Sequence, residues 1–268
     1  MTDRIAVLGA NGKMGRAVVR LAHAANLEIV AAIGSGDDVG KDVGELAGIG
    51  ALGVKVTADL DALASSTAQC LIDFSTPAVM ARAIEICAAS GIAIASGTTG
   101  IDDSGNRALD AAASKVAVLW EPNMSVGVYV LSDLVKKAIA ALGPDFDIEI
   151  VEAHHRLKVD APSGTALRLA EVAKAARDES ARDREPSRFV TGREGKPGAR
   201  VANEIGVLAM RGGDVIGDHT VHLLGDGERI ELTHRASSRE LFARGALRAG
   251  RWLIGKKPGR YRLGDVLA

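Results

Sequence analysis

The chain has 268 residues, 47% of them apolar and 25% charged, which suits a packed globular protein of two moderate cores. Its formal net charge of −1 gives no general attraction to nucleic acid or an anionic membrane, and aromatic residues at 3% are too few for base-stacking surfaces. No apolar run reaches the ~20 residues of a membrane helix, and the opening "MTDRIAVLGA" carries an acid where a signal peptide would carry basic residues. The two cysteines, Cys70 and Cys87, lie in apolar segments and read as reduced core residues, so the expected compartment is the cytoplasm.

In chain order, "RIAVLGA" (4–10) reads as a short strand that runs into glycines. "KMGRAVVRLAHAA" then has helical spacing, with Met14, Val18, Leu21 and Ala22 on one face, and "LEIVAAI" (27–33) is a second strand. The stretch 34–56, rich in Gly and Asp, reads as an irregular excursion off the sheet. The βα grammar then resumes: "CLIDFS" as strand, "PAVMARAIEICAAS" as helix, "IAIASG" as strand, "DDSGNRALDAAAS" as helix and "VAVLWEP" as strand. Continuous apolar strands alternating with helices predict a parallel sheet covered on both faces. Residues 1–126 are therefore expected to form a Rossmann-type dinucleotide-binding domain.

After about residue 126 the pattern changes. "VGVYVLSDLVKKAIAALG" is a helix, "DIEIVEAHH" an alternating strand and "GTALRLAEVAKAARD" another helix. The charge-dense stretch 177–200 reads as a solvated connection. "EIGVLAM", "DVIGDHTVHLL" and "ERIELTHRA" are strands, the last two joined by a hairpin at "GDGE". Residues 127–238 thus predict a second, α+β domain on a mixed sheet. "RELFARGALRAGRWLIGK" is a final amphipathic helix, which spacing alone assigns to neither domain.

Four loops carry the chemistry. "GANGKMG" places Gly9, Gly12 and Gly15 between strand and helix, where bare backbone can approach a pyrophosphate and the helix start offers N–H groups. The spacing is looser than G-x-G-x-x-G, so the context inside a βαβ unit carries the reading. At the end of the second strand, where an acid selects NAD and an arginine NADP, stand Gly34 and Ser35; the cofactor is read as NADH or NADPH. "SGTTG" (96–100) and "EPNMS" (121–125) also end parallel strands; as turns alone they are unremarkable.

The fourth loop, "EAHHRLKVDAPSGTA" (152–166), concentrates His154, His155, Arg156 and Lys158 before a Ser-Gly-Thr that opens a helix. Adjacent histidines on a strand point to opposite faces, so no metal is expected there. A helix start beside cations suits a small dianion, most simply a dicarboxylate, with lysine and histidine available to move a proton. Beside a nicotinamide domain, this reads as hydride transfer to an unsaturated carbon with proton delivery to its neighbour. Two other readings stay open: a different two-domain dehydrogenase acting on an amino or imino acid, and a nucleotide sensor without catalysis.

The motifs "VLGANGKMG", "IDFSTP", "SGTTG", "EPNMSVGV", "EAHHRLKVDAPSGTA", "DVIGDHTV" and "LTHRASSRELFARGALRA", in this order, resemble the dihydrodipicolinate reductase family across nearly the whole chain. The resemblance implies reduction of 4-hydroxy-tetrahydrodipicolinate by NADH or NADPH in diaminopimelate and lysine synthesis. It also implies a homotetramer formed through the second domain's sheet, and a C-terminal helix (239–268) packed back on the first domain. By motif position, His154 and Lys158 are the implied proton-handling pair, and His155, Gly164 and Thr165 the implied substrate ligands. The implied cofactor contacts are Gly9, Ala10, Asn11, Gly12, Lys13 and Met14, then Gly97, Thr98 and Thr99, then Glu121, Pro122, Asn123 and Met124. Gly34 and Ser35 depart from relatives with an acid and an arginine there, and Glu121-Pro122 replaces small apolar residues.

Overall fold

The structure, a computed structural model, describes residues 2–180 and 185–268. It divides into two compact units, one running to Val126 and resuming at Arg239–Ala268, the other Gly127–Ser238.

In the first unit, β1 (Arg4–Leu8) leads through the glycine turn into α1 (Lys13–Ala24) and then β2 (Glu28–Ile33). The buried face of α1 is Gly15, Val18, Val19 and Ala22; Met14 and Leu21, expected on it, are half-buried at its margin. The stretch expected to leave the sheet contains a short helix, α2 (Val43–Ala47), capped by the Asp42 carboxylate, and it returns as β3 (Val56–Thr57) pairing with β2. That pairing needs only Ala32–Val56 and Ile33–Thr57, too short a signal to be read in isolation.

The chain continues through α3 (Ala62–Ser65), β4 (Cys70–Asp73), α4 (Pro77–Ser90), β5 (Ala93–Ser96), α5 (Asp103–Ala113) and β6 (Ala117–Trp120). Strands β4, β5 and β6 are almost wholly buried, as strands covered on both faces must be. One face packs on α4 and α5, with Leu71, Ile94 and Val118 meeting Met80, Ile84, Cys87 and Leu109. Cys70 and Cys87 are free thiols in this core, and burial pushes the Cys87 pKa up to about 12.

Helix α6 (Val126–Leu142) leads from its first residue into the second unit, followed by β7 (Asp147–His154), α7 (Gly164–Ser180), β8 (Arg188–Val190), β9 (Glu204–Arg211), β10 (Gly217–Gly225) and β11 (Glu228–Ala236). Its sheet runs β11-β10-β7-β9-β8; β7, β8 and β9 are mutually parallel, and β10 and β11 antiparallel to their neighbours. The stretch 177–200 is not all solvated connection: it supplies the end of α7 and the edge strand β8, while residues 181–184 lie outside the described residues. Helices α6 and α7 cover one face, packing Leu131, Val135, Leu169 and Ala173 on Ile148, Ile150, Val207 and Val221. The other face carries Val151, Leu208, Met210, Thr220 and Leu224, half-buried or exposed.

The chain then returns to the first unit as α8 (Glu240–Leu253), β12 (Gly259–Tyr261) and α9 (Leu263–Leu267). Strand β12 extends the parallel sheet to the order β12-β6-β5-β4-β1-β2-β3. Helix α8 lies beside α1 on the face opposite α4, close enough that a side chain at Gly250 would strike Ile72. Among the described residues, no helix is long and apolar enough to cross a membrane.

Candidate active site

In the first unit, β1 lies between β4 and β2, so the crossover from one side of the sheet to the other opens at the carboxyl end of β1. Gly9 stands there with φ +75, and a Cβ on it would lie 2.4 Å from the Phe74 carbonyl oxygen. A Cβ at Gly15 would lie 2.1 Å from the Gly9 carbonyl oxygen. Both positions demand glycine, and the result is a turn of bare backbone ending on the start of α1. That cradle fits a pyrophosphate.

The other expected cofactor contacts line neighbouring strand ends. Gly97 is buried over the Phe74 ring, which a Cβ would meet at 2.4 Å. Thr98 is buried and Thr99 exposed. Thr98 and Ser96 both donate to one oxygen of Asp73, at 2.8 and 2.6 Å, while the Ser75 N–H donates to the other at 2.9 Å. Burial raises the Asp73 pKa, against the lowering pull of these donors. Asp73 therefore ties the loop after β4 to the loop after β5. The Trp120 indole donates to the Thr98 carbonyl at 2.8 Å and the Glu121 N–H to the Ser96 carbonyl at 3.1 Å, tying in the loop after β6. Glu121 and Met124 in that loop are buried; Pro122 and Asn123 are half-buried. Asp73 and Phe74 were not singled out from the sequence; their position at a strand's carboxyl end in "IDFSTP" was the available signal.

At the end of β2, Ser35 is exposed and Gly34 half-buried; a Cβ at Gly34 would meet the Asn11 side chain at 2.4 Å. Asn11 in turn donates to the Ser35 carbonyl at 2.7 Å. Ala10 is buried, Met14 half-buried, and Gly12 and Lys13 are exposed.

In the second unit, the alternation of β7 sends Ile148, Ile150, Glu152 and His154 to the buried face. Glu152 is completely buried, and its carboxylate is fully engaged. It takes both Arg211 nitrogens, at 2.7 and 2.8 Å, the Ser163 N–H at 2.9 Å and His154 Nδ1 at 2.6 Å. Burial works to raise its pKa, but the bonds from Arg211 and His154 prevail and hold it below the ordinary glutamate value. An ionised Glu152 fixes His154 with its proton on Nδ1.

The His154 ring packs edge-to-face on His219, with centroids 5.2 Å apart. His219 meets the Ser163 hydroxyl at 3.2 Å, and burial, helped by His154, pushes its pKa down to about 4, so it stays neutral. Past β7 the backbone turns, the Lys158 N–H donating to the His155 carbonyl. His155 is half-buried; the Lys158 ammonium lies 2.8 Å from Asp160. Ser163 then caps α7, its hydroxyl accepting from the Ala166 N–H at 3.2 Å. Gly164 and Thr165 form the first turn, and a Cβ on Gly164 would meet no atom within 4 Å. Packing does not require glycine there, whereas close approach of a ligand to the backbone would. Glu152 thus joins His154, Arg211 and the Ser163 N–H before the α7 start, Ser163 meets His219, and Arg211 also donates to the carbonyl of Asp160, the partner of Lys158; His155, Gly164 and Thr165 adjoin these groups along the chain.

Comparison with known proteins follows the same division. The family described as "Dihydrodipicolinate reductase, N-terminus" matches residues 3–124, and "Dihydrodipicolinate reductase, C-terminus" matches 127–267. A 4-hydroxy-tetrahydrodipicolinate reductase of Alkalilimnicola ehrlichii is 48% identical over 270 residues, covering 100% of this chain and 99% of its own. One from Myxococcus xanthus is 45% identical, covering 98% and 97%. Among solved structures, a dipicolinate-bound dihydrodipicolinate reductase from Paenisporosarcina sp. TG-14 superposes with a TM-score of 0.77 at 25% identity over 98% of each chain.

Proposed function

The chain belongs to the dihydrodipicolinate reductase family, and on that premise we propose that it reduces 4-hydroxy-tetrahydrodipicolinate to tetrahydrodipicolinate with NADH or NADPH, in diaminopimelate and lysine synthesis. When bound, the nicotinamide would supply a hydride to an unsaturated carbon of the substrate ring, and the 4-hydroxyl would leave with a proton as water, so that substrate, hydride and proton balance to tetrahydrodipicolinate and water. The bare backbone of the glycine turn and the loops 97–99 and 121–124 hold the cofactor. The Asp73 network ties the 97–99 loop to the loop after β4, and the Trp120 indole and the Glu121 N–H tie the 121–124 loop to it in turn.

His154, His155, Lys158, Gly164 and Thr165 serve the substrate. The start of α7 offers backbone donors to a carboxylate, and His155 serves the same ligand. The proton falls to His154 and Lys158. Glu152 holds His154 Nδ1, which leaves Nε2 as the nitrogen free for exchange, and Arg211 holds Glu152. The carrying observation is this buried Glu152–His154 pair at 2.6 Å, on the strand that runs directly into Lys158 and the α7 start.

Dipicolinate tests the anion site. Replacing Gly164 by valine should weaken dipicolinate binding and raise the substrate KM by roughly ten- to a hundredfold, the loss of one charge-assisted hydrogen bond. Calorimetry measures the first and steady-state kinetics the second; a folded Gly164→Val protein with unaltered values would remove the α7 start from the reading.

The open face of the second unit's sheet is read as the surface through which four copies associate. It presents Val151, Leu208, Met210 and Leu224 with no covering helix of this unit among the described residues. Two buried free thiols fit a reducing, cytoplasmic compartment.

A further inference from the structure

The two positions that usually face the adenosine ribose at the end of β2, Gly34 and Ser35, carry no charge. The charge lies further along and folds back. Asp38, at the end of the Gly36–Asp38 turn, accepts from Arg16 Nη2 at 2.9 Å through one carboxylate oxygen and from Lys41 Nζ at 2.9 Å through the other. Arg16 belongs to the first turn of α1, and its Nε donates to the Asn11 carbonyl at 2.9 Å. Asn11, within the glycine turn, donates to the Ser35 carbonyl at 2.7 Å and reaches Asp38 at 3.5 Å. The turn, the strand end and three charges are one connected cluster.

We infer that Arg16, Asp38 and Lys41 read the 2′ position of the cofactor's adenosine ribose, in place of Gly34 and Ser35. This rests on the nicotinamide-binding reading of the glycine turn. A phosphate monoester carries close to two negative charges near neutral pH and suits a guanidinium and an ammonium held side by side. A 2′-hydroxyl suits a carboxylate that can accept from it. The cluster contains both kinds of partner, and Asp38 sets the balance: it occupies the two cations until a phosphate displaces it, and it accepts from a hydroxyl when there is none. The Arg16 and Lys41 side chains are 37% and 54% exposed, a setting in which ion pairs are weak and exchange readily. A purely structural role, stapling the 34–41 segment to α1, would leave the two cofactors equally affected.

The test is calorimetric titration of the full chain with NADH and with NADPH. Arg16→Ala and Lys41→Ala should each lower the NADPH-to-NADH affinity ratio by about tenfold, the loss of one charge-assisted contact to phosphate. Asp38→Asn, close in shape and at a partly exposed site, should raise the ratio by a similar factor. The ratio is taken on one protein sample, so a smaller folded fraction leaves it unmoved. Wild-type binding to both cofactors, with a ratio that stays within about twofold in all three variants, would overturn the inference alone. Binding to neither dinucleotide by the wild type would overturn the nicotinamide reading and this inference with it.

Discussion

Lys158 holds its ammonium against Asp160, and two roles fit such a side chain: giving a proton to the substrate or neutralising its carboxylate. Kinetics separates them. As a general acid, Lys158 is worth about 10²–10⁴ in rate, so Lys158→Ala should lower kcat by that factor while cofactor affinity stays the same. Lys158→Arg should not restore it, because a guanidinium keeps its proton. A near-normal kcat with a raised KM would assign Lys158 to binding instead. The loop bearing these groups was legible because its residues are adjacent in the chain. Glu152 was half-legible, since strand alternation puts it on the buried face with His154, yet an acid on a strand announces no partner. Arg211 was not legible at all: it meets Glu152 across 59 residues, through a β7–β9 pairing that only the fold creates.

Among the elements, α8 shows how far a helix can be committed to its seat. A Cβ at Gly245 would lie 1.8 Å from the Met124 carbonyl oxygen, so this turn of the helix fits against the 121–124 loop only without a side chain. Backbone cannot yield as a flexible side chain can. Gly245→Ala should therefore destabilise the first unit by about 1–3 kcal/mol, despite alanine's better helix propensity, and should weaken cofactor binding through the displaced loop. Urea unfolding and cofactor titration check the two effects; a variant as stable as the wild type would show that the loop is not held there. The long periodic elements, α1, α4, α8 and the buried strands β1, β4, β5 and β6, were legible from apolar spacing. Strands β3, β8 and β12 were not. Each has only two or three residues, and each exists because a neighbouring edge was free to pair.

At the scale of the whole molecule, the second unit's sheet buries one face under α6 and α7, and among its described residues no helix covers the other. Self-association through that face predicts a tetramer in solution, lost on Met210→Asp; sedimentation equilibrium that returned a monomer mass for the wild type would contradict it. The proposed chemistry stands apart from assembly: a glycine turn proposed to hold the pyrophosphate of a nicotinamide cofactor and a Glu152-oriented histidine loop proposed to hold a dicarboxylate would serve one reduction. It is tested most directly by following the absorbance of NADH and of NADPH in the presence of the purified protein, with and without 4-hydroxy-tetrahydrodipicolinate. The account predicts loss of the reduced cofactor's absorbance only when the substrate is present, with stoichiometric formation of tetrahydrodipicolinate. Cofactor that stays reduced in the presence of substrate, with both NADH and NADPH, would contradict it.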